Sequence, residues 1–320
     1  MAARTDSVSE LFESACAGDR AALARLLSLI ERGGEEGREV SRLAHPRSGK
    51  GYLVGVTGAP GSGKSTLTSG VISHLREQGD EVAVLAIDPS SPFTGGAILG
   101  DRVRMQDHAT DPGVFIRSMA SRGHLGGLSL ATPEAARLLD AVGRPWTLIE
   151  TVGVGQVEVE IAGKADTTVV VVNPGWGDSV QANKAGLMEI ADVFVINKAD
   201  RKGVDETRRD LEQMLELSDL AVDAWHPPIL PVVATTAEGI PEFWSAVVAH
   251  RAAIEASGEL VRRRRHRLGE ELREIVARRL ELRARHLATG ELWDRLKADV
   301  ADHRVDPWTA ADEMLDGIGG

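Results

Sequence analysis

The chain has 320 residues, of which 42% are hydrophobic and 27% are charged, and its formal net charge is -11. Its length allows one large domain with extensions or two domains, and its composition is ordinary for a globular protein. A net negative charge of this size argues against a general nucleic-acid-binding protein.

Two further features bear on the location of the protein in the cell. Cys16 is the only cysteine, which excludes an internal disulfide and a multi-thiolate metal site and fits a reducing compartment. Residues 1–10 lack the apolar core of a signal peptide, and the longest apolar run, residues 167–172, is too short to cross a bilayer. We therefore expect a cytoplasmic protein that does not enter a membrane.

The N-terminal segment, residues 1–50, is predicted to be a helical extension. Apolar residues recur there at helical spacing, and we expect a small helical cap that ends at Gly33 and Gly34. The residues of this pattern are Leu11, Ala15, Ala22, Leu23, Leu26 and Leu27.

Residues 51–255 show the alternation of an α/β domain. Short apolar runs of strand type are separated by helical segments, and near-continuous apolar strands of this kind form parallel sheets that are covered on both faces. The sequence therefore predicts a doubly wound, mostly parallel sheet. The predicted strands are residues 52–57, 81–87, 114–117, 146–150, 167–173, 193–197 and 229–233.

The C-terminal segment, residues 256–320, is helical and rich in charge. One stripe carries Leu268, Leu272, Ile275 and Leu282, and a basic run at residues 262–265 is interpreted as a solvated helix face. A helical arm of this length has too few partners in its own chain to cover the stripe. We therefore expect the segment to be the dimerisation arm of a homodimer.

The first motif with a chemical meaning follows the first predicted strand. Residues 58–65 fit the pattern G-x-x-x-x-G-K-[ST], and a helix is predicted to follow. Glycines in this pattern let backbone N–H groups close around phosphates, and the helix N-terminus adds partial positive charge. Lys64 is expected to reach the β- and γ-phosphates and the Ser65 hydroxyl to bind Mg²⁺. The predicted phosphate-binding residues are Gly58, Ala59, Pro60, Gly61, Ser62, Gly63, Lys64, Ser65 and Thr66.

The second motif, Asn197-Lys198-Ala199-Asp200, lies at the end of the predicted strand 193–197. N-K-x-D at a strand end is the guanine-reading motif of GTP-binding proteins. The Asp200 carboxylate can accept from guanine N1–H and the 2-amino group, whereas adenine offers no such pair of donors. The next strand is followed by a small-residue loop that would support the base, formed by Thr235, Thr236 and Ala237. The sequence thus predicts a site for GTP and GDP.

Carboxylates that could complete a magnesium site stand between these two motifs. Asp88 and Glu150 each end a predicted strand, and Asp101 lies in a glycine-rich loop. Glu150 precedes Thr-Val-Gly at residues 151–153, where many GTP-binding proteins have D-x-x-G, so it is the expected Walker-B-type acid. Gly153 could then donate its N–H to the γ-phosphate.

Assistance to hydrolysis is less sharply defined by the sequence. Gln156 could orient the attacking water or could be a solvated loop residue, and both interpretations stay open. A polar loop with an unusual Trp176 follows the strand 167–173; it could contact a partner or move, or Trp176 could be a surface tryptophan without a function, and these interpretations also stay open. Four arginines could stabilise developing charge, although structural roles are expected for most of them: Arg102, Arg104, Arg117 and Arg122.

Three segments carry a family resemblance: residues 86–101, 150–156 and 189–200. They resemble the G-protein chaperones of adenosylcobalamin-dependent methylmalonyl-CoA mutase, P-loop GTPases of the SIMIBI class. The same family has also been described as a kinase of a lysine/arginine/ornithine transport system. The similarity extends over nearly the whole chain, and the segment from residue 88 to residue 101 is highly specific.

The resemblance implies a homodimer, joined through its C-terminal helices, that binds the mutase. GTP binding and hydrolysis would gate the loading of intact adenosylcobalamin and the removal of damaged cofactor, and no cobalamin is expected to bind this chain directly. In this family the phosphate-loop lysine and the acidic magnesium-site residues correspond to Lys64, Asp88, Asp101 and Glu150.

The nucleotide-responsive loop of the family corresponds to the region of Asp178, Gln181 and Lys184. Two residues depart from the family pattern, Val157 after the glutamine and Trp176 at a position usually held by a small residue. Both lie in or near the expected switch elements, so they put in doubt which mutase is served.

Three other functions fit parts of the pattern. A metal-insertion GTPase, such as a nickel chaperone, would need a Cys/His cluster, whereas this chain has one cysteine and nine scattered histidines. A kinase should carry a pocket and a base for a second substrate. A binding module without hydrolysis is disfavoured by the presence of Lys64 and Ser65. The two nucleotide motifs predict a GTPase, and the family resemblance implies that it acts as a chaperone of an acyl-CoA mutase, with slow intrinsic turnover.

Overall fold

A computed structural model describes residues 6–88, 105–120, 131–151, 163–175, 189–217, 224–287 and 289–316. The chain divides into two compact units, of which the first ends at Arg264 and the second begins at Arg265. The predicted limits of the nucleotide-binding domain, residues 51 and 255, stay a prediction.

In the described residues, seven strands of the first unit form one parallel sheet. They are β1 (Tyr52–Thr57), β2 (Val82–Asp88), β3 (Val114–Ala120), β4 (Trp146–Thr151), β5 (Thr167–Val172), β6 (Val193–Asn197) and β7 (Ile229–Val232). Their order is β3-β2-β4-β1-β5-β6-β7, and every neighbouring pair is parallel. β2, β3 and β4 lie on one side of β1 and β5, β6 and β7 on the other, and such a switch point forms a ligand crevice at the carboxyl ends of the strands. The predicted doubly wound α/β fold is confirmed.

Helices cover both faces of this sheet. In the described residues they are α1 (Val8–Cys16), α2 (Arg20–Arg32), α3 (Gly34–Ala44), α4 (Lys64–Glu77), α5 (Ala131–Ala141), α6 (Val204–Leu217) and α7 (Ile240–Ala256), followed by the start of α8 (Glu259–Leu287). On one face, α4 and α7 share a core with the central strands. On the other face, α1, α2, α3 and α5 pack on β2, β3 and β4, and α6 packs on β5, β6 and β7.

The N-terminal helices contain one departure from the sequence prediction. Ser7 and Glu10 form a capping box at the start of α1, as each side chain accepts from the backbone N–H of the other. Gly33 has a φ of 73° and ends α2, but α3 begins at the next residue. The prediction that Gly33 and Gly34 end the helical region is therefore wrong. A glycine in the left-handed region can end one helix and also provide the turn into another.

Two buried carboxylates before β5 and β6 anchor the start of α8. Arg264 donates to both carboxylate oxygens of Asp166 at 3.1 and 2.6 Å, and Arg263 donates to both oxygens of Asp192 at 3.0 Å. Burial lowers the pKa of the Arg263 guanidinium, but the charges and hydrogen bonds of Asp192 and Glu259 together outweigh this effect, so that pKa lies above its ordinary value. The interpretation of residues 262–265 as a solvated face is thus wrong for the two central arginines.

The second unit contains the rest of α8, α9 (Glu291–Ala301) and α10 (Pro307–Asp316). α9 and α10 contact one another, and an ion pair joins Arg295 to Glu313. Three residues of the predicted stripe on α8 are exposed: Leu268, Leu272 and Leu282. Among the described helices, none combines the length and the apolar character that a bilayer crossing requires.

Candidate nucleotide site

The phosphate loop joins β1 to α4 through three glycines in the left-handed region. Gly58, Gly61 and Gly63 have φ values of 137°, 75° and 92°, which other residues rarely adopt. A Cβ at Gly58 would overlap the carbonyl oxygen of Val171 in β5, and a Cβ at Gly63 would overlap the side-chain amide of Asn197. Close packing of neighbouring strand ends therefore requires glycine at two of these positions.

Lys64 is the first residue of α4, and its side chain reaches back to the start of this loop. Its side chain is buried, and Nζ donates to the carbonyl oxygens of Gly58 and Ala59 at 2.6 and 3.1 Å. Because α4 begins at Lys64, the first backbone N–H groups of the helix have no acceptor within it. The helix start and the ammonium group together place positive charge beside the loop, as a polyphosphate site requires.

The guanine-type motif holds the other half of the phosphate loop. Lys198 Nζ donates to Gly61 O at 2.6 Å, and Asn197 Nδ2 donates to Ser62 O at 2.8 Å. In a trans peptide the N–H points away from the carbonyl, so the bond to Ser62 O turns the N–H of Gly63 to the opposite side. The motif therefore sets the orientation of a phosphate-loop peptide that is distant in sequence.

Asn197 also connects the motif to the loop after β7. Its Oδ1 accepts from the backbone N–H groups of Lys198 and Ala234, at 2.8 and 3.2 Å. The N–H of Ala199 donates to Val232 O at 3.1 Å. The loops after β6 and β7 are thus joined into one structure, and the phosphate loop is bonded to it.

Three of the predicted base-site residues, Asp200, Thr235 and Thr236, line one cleft with a volume of 410 Å³. Ala237 follows Thr236 in the same loop and has a φ of 60°. Apolar walls with a few carboxylate and hydroxyl groups suit a flat ring that carries hydrogen-bond donors on its edge. The residues around this cleft are Ala199, Asp200, Val204, Pro231, Val233, Thr235, Thr236 and Glu238.

A buried serine–carboxylate pair lies beside the phosphate loop. Ser65 Oγ donates to Glu150 Oε1 at 2.6 Å, and both side chains are buried. Glu150 stands in β4 opposite Val56 of β1, close to the point where the phosphate loop begins. A hydroxyl oxygen and a carboxylate oxygen are hard donors of the kind that Mg²⁺ prefers, so these residues fit the metal that the sequence predicts.

Other predicted metal and switch residues lie outside the described part of the chain. Asp88 ends β2, and the neighbouring Ile87 is opposite Thr151 of β4, but the side chain of Asp88 is not among those described. Within the described ranges, no group of three or more His, Cys, Asp or Glu side chains could hold a metal. The residues outside these ranges are Asp101, Gln156, Val157, Trp176, Asp178, Gln181 and Lys184.

The one candidate arginine in the described residues has a structural role. Arg117 stands in β3, forms an ion pair with Glu31 and donates to Ser28 Oγ at 3.1 Å, both in α2. This contact holds α2 on the sheet. Arg102, Arg104 and Arg122 lie outside the described ranges.

Sequence reasoning missed one residue at the phosphate loop. Asn173 follows β5, and its Nδ2 donates to Gly61 O at 3.4 Å. The sequence contained one signal for it, because a polar residue directly after a buried strand lies at the carboxyl edge of a parallel sheet.

A phosphate loop at the switch point of a parallel sheet, bonded to a guanine-type motif, defines a P-loop GTPase. The model of the family described as methylmalonyl-CoA mutase-associated GTPase MeaB matches residues 23–289 of this chain. The chain belongs to this family, and the predicted GTPase activity is confirmed.

Individual relatives are similar over most of the chain. A protein of Pyrococcus abyssi is 50% identical over 315 residues, which cover 98% of this chain and 97% of its own. GTPase ArgK of Escherichia coli is 39% identical over 87% of this chain and 85% of its own. The mouse protein named methylmalonic aciduria type A homolog, mitochondrial, is 35% identical over 80% of this chain and 66% of its own.

A solved structure shows the same fold. The crystal structure of a LAO/AO transport system kinase superposes with a TM-score of 0.72 at 29% sequence identity. The match covers 98% of both chains.

Proposed function

We propose that this GTPase is a chaperone of an adenosylcobalamin-dependent acyl-CoA mutase, namely methylmalonyl-CoA mutase. It would use GTP binding and hydrolysis to gate cofactor loading and to protect and reactivate the mutase, without binding cobalamin itself. The observation that carries the GTP site is the pair of bonds from Asn197 and Lys198 to the phosphate loop. The description of the family and the name of the mouse relative support the mutase as partner.

In this proposal the base of GTP or GDP lies in the cleft after β6 and β7. The Asp200 carboxylate accepts from guanine N1–H and the 2-amino group, and the loop of Thr235, Thr236 and Ala237 supports the ring. Discrimination follows because adenine would leave the carboxylate without its two donors, which costs a few kcal/mol. The shared cleft of Asp200, Thr235 and Thr236 supports this placement.

The phosphates lie over residues 58–66, where Lys64 stabilises the charge that develops on the γ-phosphate oxygens. Ser65 would hold Mg²⁺, with Glu150, Asp88 and Asp101 around it, and the ion would supply positive charge to neutralise the phosphates. A water oxygen attacks the γ-phosphorus, and the bond to the β–γ bridging oxygen breaks. Gln156 is the residue proposed to orient this water.

Two further surfaces belong to the proposal. The region of Asp178, Gln181 and Lys184 would respond to the nucleotide and contact the mutase. The C-terminal arm would join two copies of the chain, and the exposed stripe of Leu268, Leu272 and Leu282 supports this, because burying leucine side chains against a second copy is favourable.

The test is a pull-down with purified methylmalonyl-CoA mutase, followed by GTPase assays with and without it. We expect the mutase to be retained and to change the rate of phosphate release. The Lys64→Ala variant, which should neither bind nor hydrolyse GTP, separates nucleotide-dependent capture from non-specific adhesion. A mutase that neither binds nor alters the rate would overturn the chaperone proposal.

A kinase function has one specific observation in its favour, the similarity to the crystal structure named a transport system kinase. The two functions differ in the fate of the γ-phosphate. GTP labelled in that phosphate should yield free phosphate with a GTPase and a labelled acceptor with a kinase. Labelled protein or small molecule at the rate of GTP consumption would favour the kinase.

A further inference from the structure

The carbonyl of Gly61 is a junction between three parts of the nucleotide site. It belongs to the phosphate loop, and it accepts from Lys198 Nζ at 2.6 Å and from Asn173 Nδ2 at 3.4 Å. Lys198 follows β6, and Asn173 is the first residue after β5. One carbonyl thus receives donors from two neighbouring strand ends.

The sheet holds Asn173 close to the phosphate loop. β5 pairs directly with β1, and Val170 stands opposite Thr57. Gly58 packs so closely on Val171 that a Cβ there would overlap the carbonyl oxygen of Val171. The two strand ends cannot separate without loss of sheet pairing, so the backbone fixes the position of the Asn173 Cα atom relative to the phosphate loop.

The orientation of the Asn173 amide is explained by the phosphate loop. Oδ1 is buried and has no hydrogen-bond partner among the described residues. Most buried polar atoms are paired, and one that is not often marks a functional position. Because no described donor orients Oδ1, the contact of Nδ2 with Gly61 O is the interaction that selects this orientation of the amide.

The residues that follow Asn173 are anchored by a separate bond. Gly175 N donates to Thr207 Oγ1 at 3.1 Å, and the Thr207 side chain is buried in α6. This bond does not involve the phosphate loop. It therefore offers an internal comparison, because it fixes the same short segment at its other end.

We propose that Asn173 is a positioning residue of the nucleotide site, which together with Lys198 holds the Gly61 carbonyl and so orders the phosphate loop for binding. The inference rests on the proposed placement of the nucleotide. Gly61 has a φ of 75°, and glycine would give the loop many other conformations without these donors. A loop that is already ordered loses less conformational freedom when phosphates bind, which strengthens binding.

A double-mutant cycle on nucleotide affinity tests the proposal. Asn173→Ala and Lys198→Met each remove one donor to Gly61 O, and a third variant combines them. GDP affinity is measured by titration calorimetry with Mg²⁺. We expect Asn173→Ala to weaken GDP binding by roughly fivefold. The double variant should be weaker than the product of the two single effects, because neither donor then holds the carbonyl.

Two controls separate positioning from general packing. Thr207→Val removes the acceptor of the Gly175 N–H and should leave GDP affinity within about twofold of wild type, because it does not touch the phosphate loop. Asn173→Ala combined with Asp200→Asn should follow the product of the single effects, because Asp200 makes no contact with Gly61 O. Thermal unfolding without nucleotide establishes that each variant is folded.

A double variant whose affinity equals the product of the single effects overturns the proposal. A Thr207→Val protein as weak as Asn173→Ala overturns it too, because the effect would then belong to the packing of the segment. Failure of the base assignment is distinguishable. If wild-type protein binds ADP as tightly as GDP, the proposed role of Asp200 in base selection is wrong. The double-mutant cycle of Asn173 and Lys198 would still test the ordering of the phosphate loop.

Discussion

Ser65 and Glu150 are joined by a hydrogen bond of 2.6 Å although 85 positions separate them in the chain. Ser65 belongs to the first turn of α4 and Glu150 to β4, so the bond ties the end of the phosphate loop to the neighbouring strand. A carboxylate that orients a metal-binding hydroxyl affects how tightly the metal is bound. We therefore expect changes at this pair to alter the Mg²⁺ dependence of hydrolysis.

Glu150→Gln should lower GTPase activity by about 10- to 100-fold and raise the Mg²⁺ concentration for half-maximal activity, because glutamine lacks the negative charge. Phosphate release across a Mg²⁺ titration measures both effects. GDP affinity in EDTA should change little, since the contacts of Lys64 and Lys198 remain. Ser65→Thr is the matched control, because it keeps the hydroxyl. A Glu150→Gln enzyme with wild-type Mg²⁺ dependence would contradict the metal assignment.

Asp200→Asn should exchange the preferred base. An asparagine amide can donate to the 2-oxygen of xanthine, whereas guanine presents an amino group there and loses its acceptor. We expect GTP affinity to fall by about 100-fold or more and xanthosine triphosphate to become the better ligand. Competition binding with GTP, xanthosine triphosphate and ATP measures this. Thr236→Val in the same cleft is the control and should not reverse the order of the bases; unchanged GTP selectivity in Asp200→Asn would remove Asp200 from the base site.

Leu272→Glu should dissociate the expected dimer. The Leu272 side chain is 62% exposed on α8, and the burial of a leucine contributes about 1.5–3 kcal/mol, so dimer affinity should fall by tenfold or more. Sedimentation across a range of concentrations measures the change. Leu217→Glu changes a leucine that is 86% exposed on α6 and should leave the mass unaltered. A wild-type protein that remains monomeric at all concentrations refutes the homodimer.

Arg263→Met should destabilise the protein by about 3 kcal/mol, because it leaves the buried Asp192 carboxylate without its guanidinium. Arg262 offers a matched control. Its side chain is 73% exposed and forms an ion pair with Glu259 on the same helix, so Arg262→Met should cost less than about 1 kcal/mol. Urea unfolding midpoints compare the two. Equal midpoints would show that the buried pair contributes no more than a surface pair.

The strands and the two nucleotide motifs could be predicted because they rest on local signals. Each strand is a short apolar run, and Gly58 and Asn197 follow such runs directly. Parallel strands bring their carboxyl ends to one edge, so residues that follow different strands converge without any knowledge of their contacts. The closeness of Ser65 to Glu150 is one such consequence.

The anchoring of α8 could not be read in the same way. A run of four arginines has the same sequence pattern whether its side chains are solvated or form ion pairs. Arg263 and Arg264 bind aspartates that lie 71 and 98 positions away in the chain. The turn at Gly33 fails for a related reason, because a glycine in the left-handed region can end a helical region or merely separate two helices. Which of these occurs depends on tertiary packing of α3 on α2 and α5.

Tyr52 should give the protein a specific sensitivity to alkali. Its hydroxyl lies 2.7 Å from Thr167 Oγ1, and burial raises the pKa of the phenol well above its ordinary value of 10.0. The folded state therefore keeps its proton above pH 10 while the unfolded chain loses it. The contribution of Tyr52 to stability is complete below about pH 10 and declines as pH rises from there towards the raised pKa.

Tyr52→Phe provides the comparison that isolates this effect from other alkaline titrations. The variant should be about 1 kcal/mol less stable than wild type at pH 8, because it loses the hydrogen bond to Thr167. It has no phenol to ionise, so the difference in unfolding free energy should shrink between pH 10 and pH 12. Urea unfolding at a series of pH values measures both curves. A constant difference across this range would show that ionisation of the buried phenol does not cause the loss of stability at high pH.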